Sequence, residues 1–168
     1  MNIFTTSRHP KQCARHLDDK RLNKMILETA QIICAVLHRN EYSDPIPYRP
    51  SHMNHPAVLW ADDSDNIRWL YQLGLCYGDE IIHRTGRKHS SHLVLEGLTL
   101  NFGKVLTGKF IVNDDDLFNG ARHRGLGLDF THLEPVQAYR AYLNARWPND
   151  KRAPTWKNRR RPVWCELS

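Results

Sequence analysis

The stretch PKQCARHLDDKRLNKMILETAQIICAVLH, residues 10–38, contains no internal glycine or proline and is rich in strong helix formers. His9-Pro10 precedes it and suits a helix start. We therefore predict helix over residues 10–38, with a break near His16. A helix of this length in a chain of 168 residues predicts a mainly α fold. We expect a compact, single-domain helical bundle with long loops.

The long predicted helix has one apolar and one polar side when it is projected at about 100° per residue. The apolar side carries Leu22, Met25, Ile26, Ile33, Val36 and Leu37. The polar side carries Lys20, Lys24, Glu28 and Gln31, with Arg21 at its edge. Leu17, Leu27 and Ala35 border this polar side, which favours a catalytic or substrate-binding floor over a freely solvated face. The alternative is a solvent face with an ordinary i,i+4 ion pair between Lys24 and Glu28.

The rest of the chain alternates between shorter helices and loops. Three prolines between Asp44 and Pro50 predict an extended surface loop. Further helices are predicted over residues 57–60, 66–84, 92–100 and 134–146, and Ser64 or Asp65 is expected to cap the helix 66–84. The region 101–130 is rich in glycine and aspartate and gives no clear assignment, although Phe110–Val112 fits a short strand. We assign residues 1–168 to one domain, in which residues 149–168 form an extended basic C-terminal segment.

The sequence contains no pattern typical of a membrane span or of a secretion signal. No apolar run approaches the roughly 20 residues that span a bilayer, and the first residues lack a signal-peptide core. We therefore expect a cytoplasmic protein with no membrane partner. The four cysteines form no CxxC pair, so reduced thiols are expected, with Cys34 as a core residue.

Positive charge is concentrated near the C-terminus. Residues 140–161 contain eight lysines and arginines and one acid, whereas the whole chain carries a net charge of +6. Tryptophans are interleaved with these cations, a combination that binds phosphates and stacks on unpaired bases. We predict nucleic-acid contacts by Trp156, Lys157, Arg159 and Arg160. A solubilising segment with solvated charges is the alternative.

Histidines and a second group of cations supply further candidates. The loop Ser51–Pro56 carries His52, Asn54 and His55, which suit hydrogen bonds to a nucleotide or capping of the following helix. No cysteine or carboxylate at recognisable spacing completes a zinc site, so we expect no metal and no cofactor. Arg87 and Lys88 lie in a second basic patch suited to phosphate.

Two segments resemble the pyrimidine-dimer DNA glycosylases, the endonuclease V enzymes of ultraviolet excision repair. Residues 14–21, ARHLDDKR, resemble the early helix motif of that family, an HL step followed by an arginine, which places His16 among the candidate DNA contacts. Residues 151–157, KRAPTWK, resemble the family's basic Pro-Thr-Trp segment near DNA. The resemblance covers both ends of the chain, some 50 residues.

The resemblance implies that an amine of the protein attacks the sugar of the damaged nucleotide. In the family the N-terminal α-amine attacks the sugar C1′, displaces the base and forms an imine, and β-elimination then cleaves the strand. An α-amine suits this role because its ordinary pKa is about 8, which leaves a usable neutral fraction at pH 7. Members with a small second residue lose the initiator methionine, whereas Asn2 is a poor substrate for that removal. Leu22 stands where the family places its catalytic glutamate, so Asp18, Asp19 or Glu28 has to supply the carboxylate.

The expected function is therefore excision of a damaged or modified base from DNA through an amine–imine intermediate. Candidate catalytic residues are Asn2, Lys24, Glu28, His52 and His55. The amine is the α-amino group, Lys20 or Lys24. Two alternatives stay open at this point: a nucleotide- or base-modifying enzyme using Lys24, Glu28 and the histidine loop, and a nucleic-acid-binding protein without catalysis.

Overall fold

The computed structural model describes residues 1–107 and 116–167. The helices are α1 Pro10–His16, α2 Asp19–Arg39, α3 Pro56–Ala61, α4 Ser64–Thr85, α5 Ser90–Leu106 and α6 Pro135–Arg146. A two-stranded antiparallel ribbon pairs β1, Arg122–His123, with β2, Leu128–Asp129. The prediction of a compact, mainly helical fold is confirmed. In the described part of the chain, no helix is long and apolar enough to cross a bilayer.

The predicted long helix is divided at Leu17 and Asp18. Asp18 caps α2, because its Oδ1 accepts a hydrogen bond from the Arg21 backbone N–H at 3.2 Å. The expected break near His16 is thus confirmed. The apolar side of α2 is buried and packs on α3, α4 and α5, and Cys34 lies in this core.

Helix α4 contacts α1, α2, α3 and α5. Its cap is Asp63, not Ser64 or Asp65 as predicted, because Asp63 Oδ1 accepts from the backbone N–H groups of both Asp65 and Asn66. Two glycines on α4 let α5 approach closely. A Cβ on Gly78 would overlap the His92 ring, and a Cβ on Gly74 would lie 2.8 Å from a Leu95 methyl group.

This close approach gives a stability prediction. We expect Gly78→Ala to lower the free energy of unfolding by about 1–3 kcal/mol, because the added methyl group forces the His92 ring or the backbone to shift. Gly97→Ala on α5 is the matched control, because a Cβ there meets no atom within 4 Å. The control is expected to be neutral or to stabilise by up to about 1 kcal/mol through helix propensity. Urea unfolding measures both; equal effects of the two variants would contradict the packing argument.

Helix α5 is longer than the predicted 92–100. It begins at Ser90, because His89 Nδ1 accepts from the Ser91 backbone N–H at 3.1 Å, and it continues to Leu106 through a kink at Phe102. Phe102 and Leu106 are buried, which extends the helix beyond the predicted end. The predicted strand Phe110–Val112 lies outside the described residues. The β1–β2 ribbon was not predicted.

The C-terminal segment, residues 149–167 as described, has little regular structure but packs against the helical body. The Asp19 backbone N–H donates to the Thr155 carbonyl oxygen at 2.8 Å, and Trp156 Nε1 donates to the His16 carbonyl oxygen at 3.0 Å. Burial raises the pKa of Asp19, but hydrogen bonds from Thr155 and Arg84 outweigh this effect and lower it. The segment is therefore attached at the junction of α1 and α2.

Candidate active site

The N-terminal strand-like segment covers the polar side of α2. Ile3 and Phe4 are buried in the core, and Thr5 Oγ1 donates to the Phe118 carbonyl oxygen at 3.0 Å. As a result Glu28 is only 9% exposed, although its neighbours on the polar side of the helix are accessible. The start of the chain therefore covers part of the polar side of α2, which the sequence predicted to be a binding surface bordered by apolar residues.

The Glu28 carboxylate joins two nitrogen atoms. Its Oε2 accepts a hydrogen bond from the Asn2 backbone N–H at 2.8 Å, and its Oε1 lies 3.1 Å from Lys24 Nζ. The Lys24 side chain is 69% exposed. The N-terminal segment and Lys24, both predicted to supply an amine, thus meet at one carboxylate.

Asn2 is held in place by its own side chain. Asn2 Oδ1 accepts from the Ile3 backbone N–H at 2.8 Å and from the Tyr139 hydroxyl group. Burial raises the pKa of Tyr139 well above its ordinary value, so the phenol remains a hydrogen-bond donor. The Gly120 backbone N–H in turn donates to the Tyr139 oxygen at 3.0 Å. This chain of contacts fixes the Asn2 nitrogen against Glu28.

A cavity of about 230 Å³ opens beside the Asn2–Glu28 contact; we call it the α2 cavity. It is lined by Asn2, Phe4, Lys20, Arg21, Lys24, Met25, Glu28, His123, Tyr142, Arg146 and Asp150. Two of its cations are already paired: Arg21 contacts Asp18 and Asp150 at 2.8 Å each, and Arg146 lies 3.3 Å from Asp150. Lys24 is also paired, with Glu28 at 3.1 Å, so the exposed Lys20 is the lysine that remains for an incoming anion.

A second cavity, of about 430 Å³, is also lined by Asn2; we call it the His55 cavity. Met1, Asn2, His55 and Arg122 contribute to its lining. His55 Nδ1 accepts from the Ala57 backbone N–H at 3.1 Å, which leaves the ring proton on Nε2. Burial lowers the pKa of His55, and the nearby α-amino group adds to the shift. His55 is therefore a neutral imidazole that can donate one hydrogen bond.

The structure does not bring all predicted catalytic residues together. His52 is exposed and its carbonyl oxygen accepts from the His55 backbone N–H at 2.8 Å. Asn54 Oδ1 accepts from Arg39 Nη1 at 3.3 Å, and Gln31 is half-buried on α2. Of the histidine loop, His55 is the residue that lines a cavity shared with Asn2.

The half-buried His16 packs inside the fold. Its Nδ1 lies 3.1 Å from Thr6 Oγ1, and its ring contacts Trp164 edge to face. Burial, with Arg140 nearby, lowers the pKa of His16 to about 4, so the ring is neutral at pH 7. Its position favours a role in holding α1 against the C-terminal segment.

The predicted phosphate contacts fall into two groups. Some are engaged in ion pairs: Arg159 binds both carboxylate oxygens of Glu80 at 2.8 and 2.9 Å, and Lys88 binds Glu96 at 2.7 Å. Arg87, Lys157 and Arg160 are exposed, and their side chains form no ion pair with the described residues. Trp156 is half-buried and packs on Trp147.

Sequence reasoning missed several residues of the site. Tyr139 lies on α6, and its hydroxyl group contacts Asn2 across 137 positions of sequence. Arg122 and His123 lie in the unassigned region 101–130. No local pattern in the sequence singles out these residues.

Residues 1–94, which carry Asn2, Lys24, Glu28 and His55, match the family model described as pyrimidine dimer DNA glycosylase. The match covers more than half of the chain. The chain belongs to this family. The pyrimidine dimer DNA glycosylase match does not extend to α6 or the C-terminal segment, so the resemblance of residues 151–157 stays a prediction. No curated protein and no solved structure matches the chain at a significant level.

Proposed function

We propose that the protein excises a damaged base from DNA and then cleaves the strand, using an amine at the Asn2 position with Glu28 as its partner. The observation that carries this proposal is the 2.8 Å contact between the Asn2 nitrogen and Glu28 Oε2. When a chain begins at Asn2, this nitrogen is an α-amine instead of a peptide nitrogen. Family membership supplies the substrate class, damaged DNA.

The reaction proceeds in balanced steps. The neutral amine forms a bond to C1′, the C1′–base bond breaks, and the base leaves with the electron pair and takes up a proton. The aminium loses a proton to the Glu28 carboxylate. The nitrogen lone pair then forms the imine while the C1′–O4′ bond breaks and O4′ is protonated. Loss of a proton from C2′ expels the 3′ phosphate, and water hydrolyses the imine to return the amine.

Glu28 suits the role of the carboxylate. Glu28 is 9% exposed, and its carboxylate lies beside the attacking nitrogen. There it takes up the proton and stabilises the cationic imine. Lys24 is a weaker nucleophile candidate. Its side chain is 69% exposed and its ammonium group is ion-paired, and neither feature favours the neutral amine that attack requires.

The two cavities suggest how the nucleotide lies. Lys20 lines the α2 cavity and suits a phosphate, whereas His55, with its proton on Nε2, and Arg122 line the His55 cavity and suit polar atoms of a base. Asn2 lines both cavities, as expected of a nucleophile that attacks the sugar between them. Extrusion of the nucleotide from the helix would bring it there.

Borohydride trapping tests this function. The protein is incubated with duplexes that contain an abasic site, ultraviolet photoproducts or no lesion, and sodium borohydride is added to reduce any imine to a stable adduct. We expect an adduct on the lesion-containing duplexes and none on the undamaged one. Binding without any adduct would reject the glycosylase–lyase chemistry.

A further inference from the structure

A third cavity, of about 460 Å³, lies where the end of α4, the start of α5, the first turns of α2 and the C-terminal segment meet. We call it the Arg87 cavity. It is lined by Asn23, Ile81, Thr85, Arg87, Lys88, His89 and Lys157. None of these residues lines the α2 or the His55 cavity.

The charges in the Arg87 cavity are not balanced. Arg87 and Lys157 are exposed, and neither side chain forms an ion pair with the described residues. Lys88 is neutralised by Glu96 at 2.7 Å. The acid that contacts the Lys157 backbone, Asp19, already accepts hydrogen bonds from Thr155 and Arg84. Two cations therefore face one cavity without a carboxylate of their own.

Neutral donors complete the lining. His89 Nδ1 accepts from the Ser91 backbone N–H, so its proton lies on Nε2, and burial lowers the pKa of the ring. Asn23 adds a side-chain amide from α2; one of its N–H groups donates to the Asp19 carbonyl oxygen at 2.8 Å, and the amide has a second N–H for a ligand. Two cations and neutral N–H donors match the oxygens of a phosphate diester.

We propose that the Arg87 cavity binds a backbone phosphate of the DNA whose lesion lies at Glu28. Asn23 and Glu28 are on the same helix, five residues apart, which separates them by about 7.5 Å along its axis and about 140° around it, so the Arg87 cavity suits a phosphate flanking the lesion. The identity of the polyanion as DNA rests on the proposed function. The phosphate site itself is independent of the chemistry at Glu28.

The salt dependence of binding tests the proposal. Fluorescence anisotropy with a duplex containing a stable abasic analogue gives the dissociation constant over a range of sodium chloride concentrations. The double variant Arg87→Ser/Lys157→Ser is expected to reduce the slope of log K against log [salt] by about 1.8, because each lost phosphate contact removes about 0.9. Gln replacements at the same two positions, which keep the side-chain length, should give the same reduction.

Lys11→Ser/Lys104→Ser is the matched control, since both lysines are exposed and line none of the three cavities. It removes the same net charge and is expected to change the slope by less than half as much. Equal slopes for the two double variants would overturn the phosphate site.

Borohydride trapping at saturating DNA separates this proposal from the proposed function. A reduced slope in the Arg87/Lys157 variant, together with an adduct formed by the wild-type protein, supports both the phosphate site and the glycosylase–lyase function. A reduced slope with no adduct from either protein supports the phosphate site and rejects the glycosylase–lyase function. If the wild type and the variant both form an adduct, but the variant has the same slope as the lysine control, the result supports the glycosylase–lyase function and rejects the phosphate site.

Discussion

Glu28→Gln is expected to lower the rate of base excision and of strand cleavage at least hundredfold. The substitution keeps the shape of the side chain but removes the proton acceptor beside the Asn2 nitrogen, and a positioned acid–base group contributes about 10²–10⁴-fold. Single-turnover cleavage of a lesion-containing duplex measures the effect.

The same substitution should leave the fold intact. The ion pair that it removes involves a lysine that is 69% exposed, and such pairs contribute about 0–1 kcal/mol. We expect the melting temperature to change by no more than a few degrees. Asp65→Asn is the matched control, because Asp65 also pairs with a cation, Arg68 at 3.1 Å, but lies outside the three cavities; its activity should equal that of the wild type. Full activity of Glu28→Gln would show that this carboxylate is not needed.

Arg84→Met is expected to cause the largest loss of stability among the substitutions considered. Arg84 is 1% exposed, and its guanidinium donates to Glu80, to Asp19 and to the carbonyl oxygens of Leu17 and Arg15. Methionine fills similar volume but removes these donated hydrogen bonds; Glu80 keeps Arg159 and Asp19 keeps Thr155, whereas the Leu17 and Arg15 carbonyl oxygens lose the guanidinium. Breaking a buried ion pair costs about 3 kcal/mol or more, which corresponds to a melting temperature lower by about 6–12 °C.

Arg68→Ala on the same helix provides the comparison. Arg68 pairs with Asp65 at 3.1 Å, and both side chains are partly exposed, so its loss should cost less than about 1 kcal/mol. The Arg84 substitution should also loosen the C-terminal segment, because Asp19 holds Thr155 and the Lys157 backbone. Faster hydrogen exchange at Lys157 would report this. A melting temperature for Arg84→Met equal to that of Arg68→Ala would contradict the account.

Local sequence patterns predicted the helices, and within the candidate site they predicted the proximity of Lys24 and Glu28. The 100° projection of α2 put Lys24 and Glu28 on one side, because helix geometry alone sets that relation. It did not predict that Glu28 is buried, since the covering segment comes from Asn2 and is fixed by Tyr139, far away in sequence. Such contacts have no local signature.

The sequence shows how many cations the C-terminal segment carries but not which of them are ion-paired. All cations of the C-terminal segment looked equivalent in the sequence. In the structure Arg159 is bound to Glu80, 79 positions away, whereas Lys157 faces a cavity. Which cation is free for phosphate depends on acids contributed by other helices. Arg87 and Lys88 are adjacent in the sequence, but Lys88 is ion-paired with Glu96 of α5, whereas Arg87 forms no ion pair with the described residues.

The position of the reacting amine tests the central claim most directly. Protein released from a cleavable fusion so that it begins at Asn2 is compared with protein that retains Met1, and the borohydride adduct of each is digested and mapped by mass spectrometry. We expect faster trapping by the chain that begins at Asn2, with the DNA remnant on the Asn2 nitrogen, because that nitrogen lies 2.8 Å from Glu28. An adduct on Lys24 or Lys20, formed equally fast by both proteins, would contradict the account.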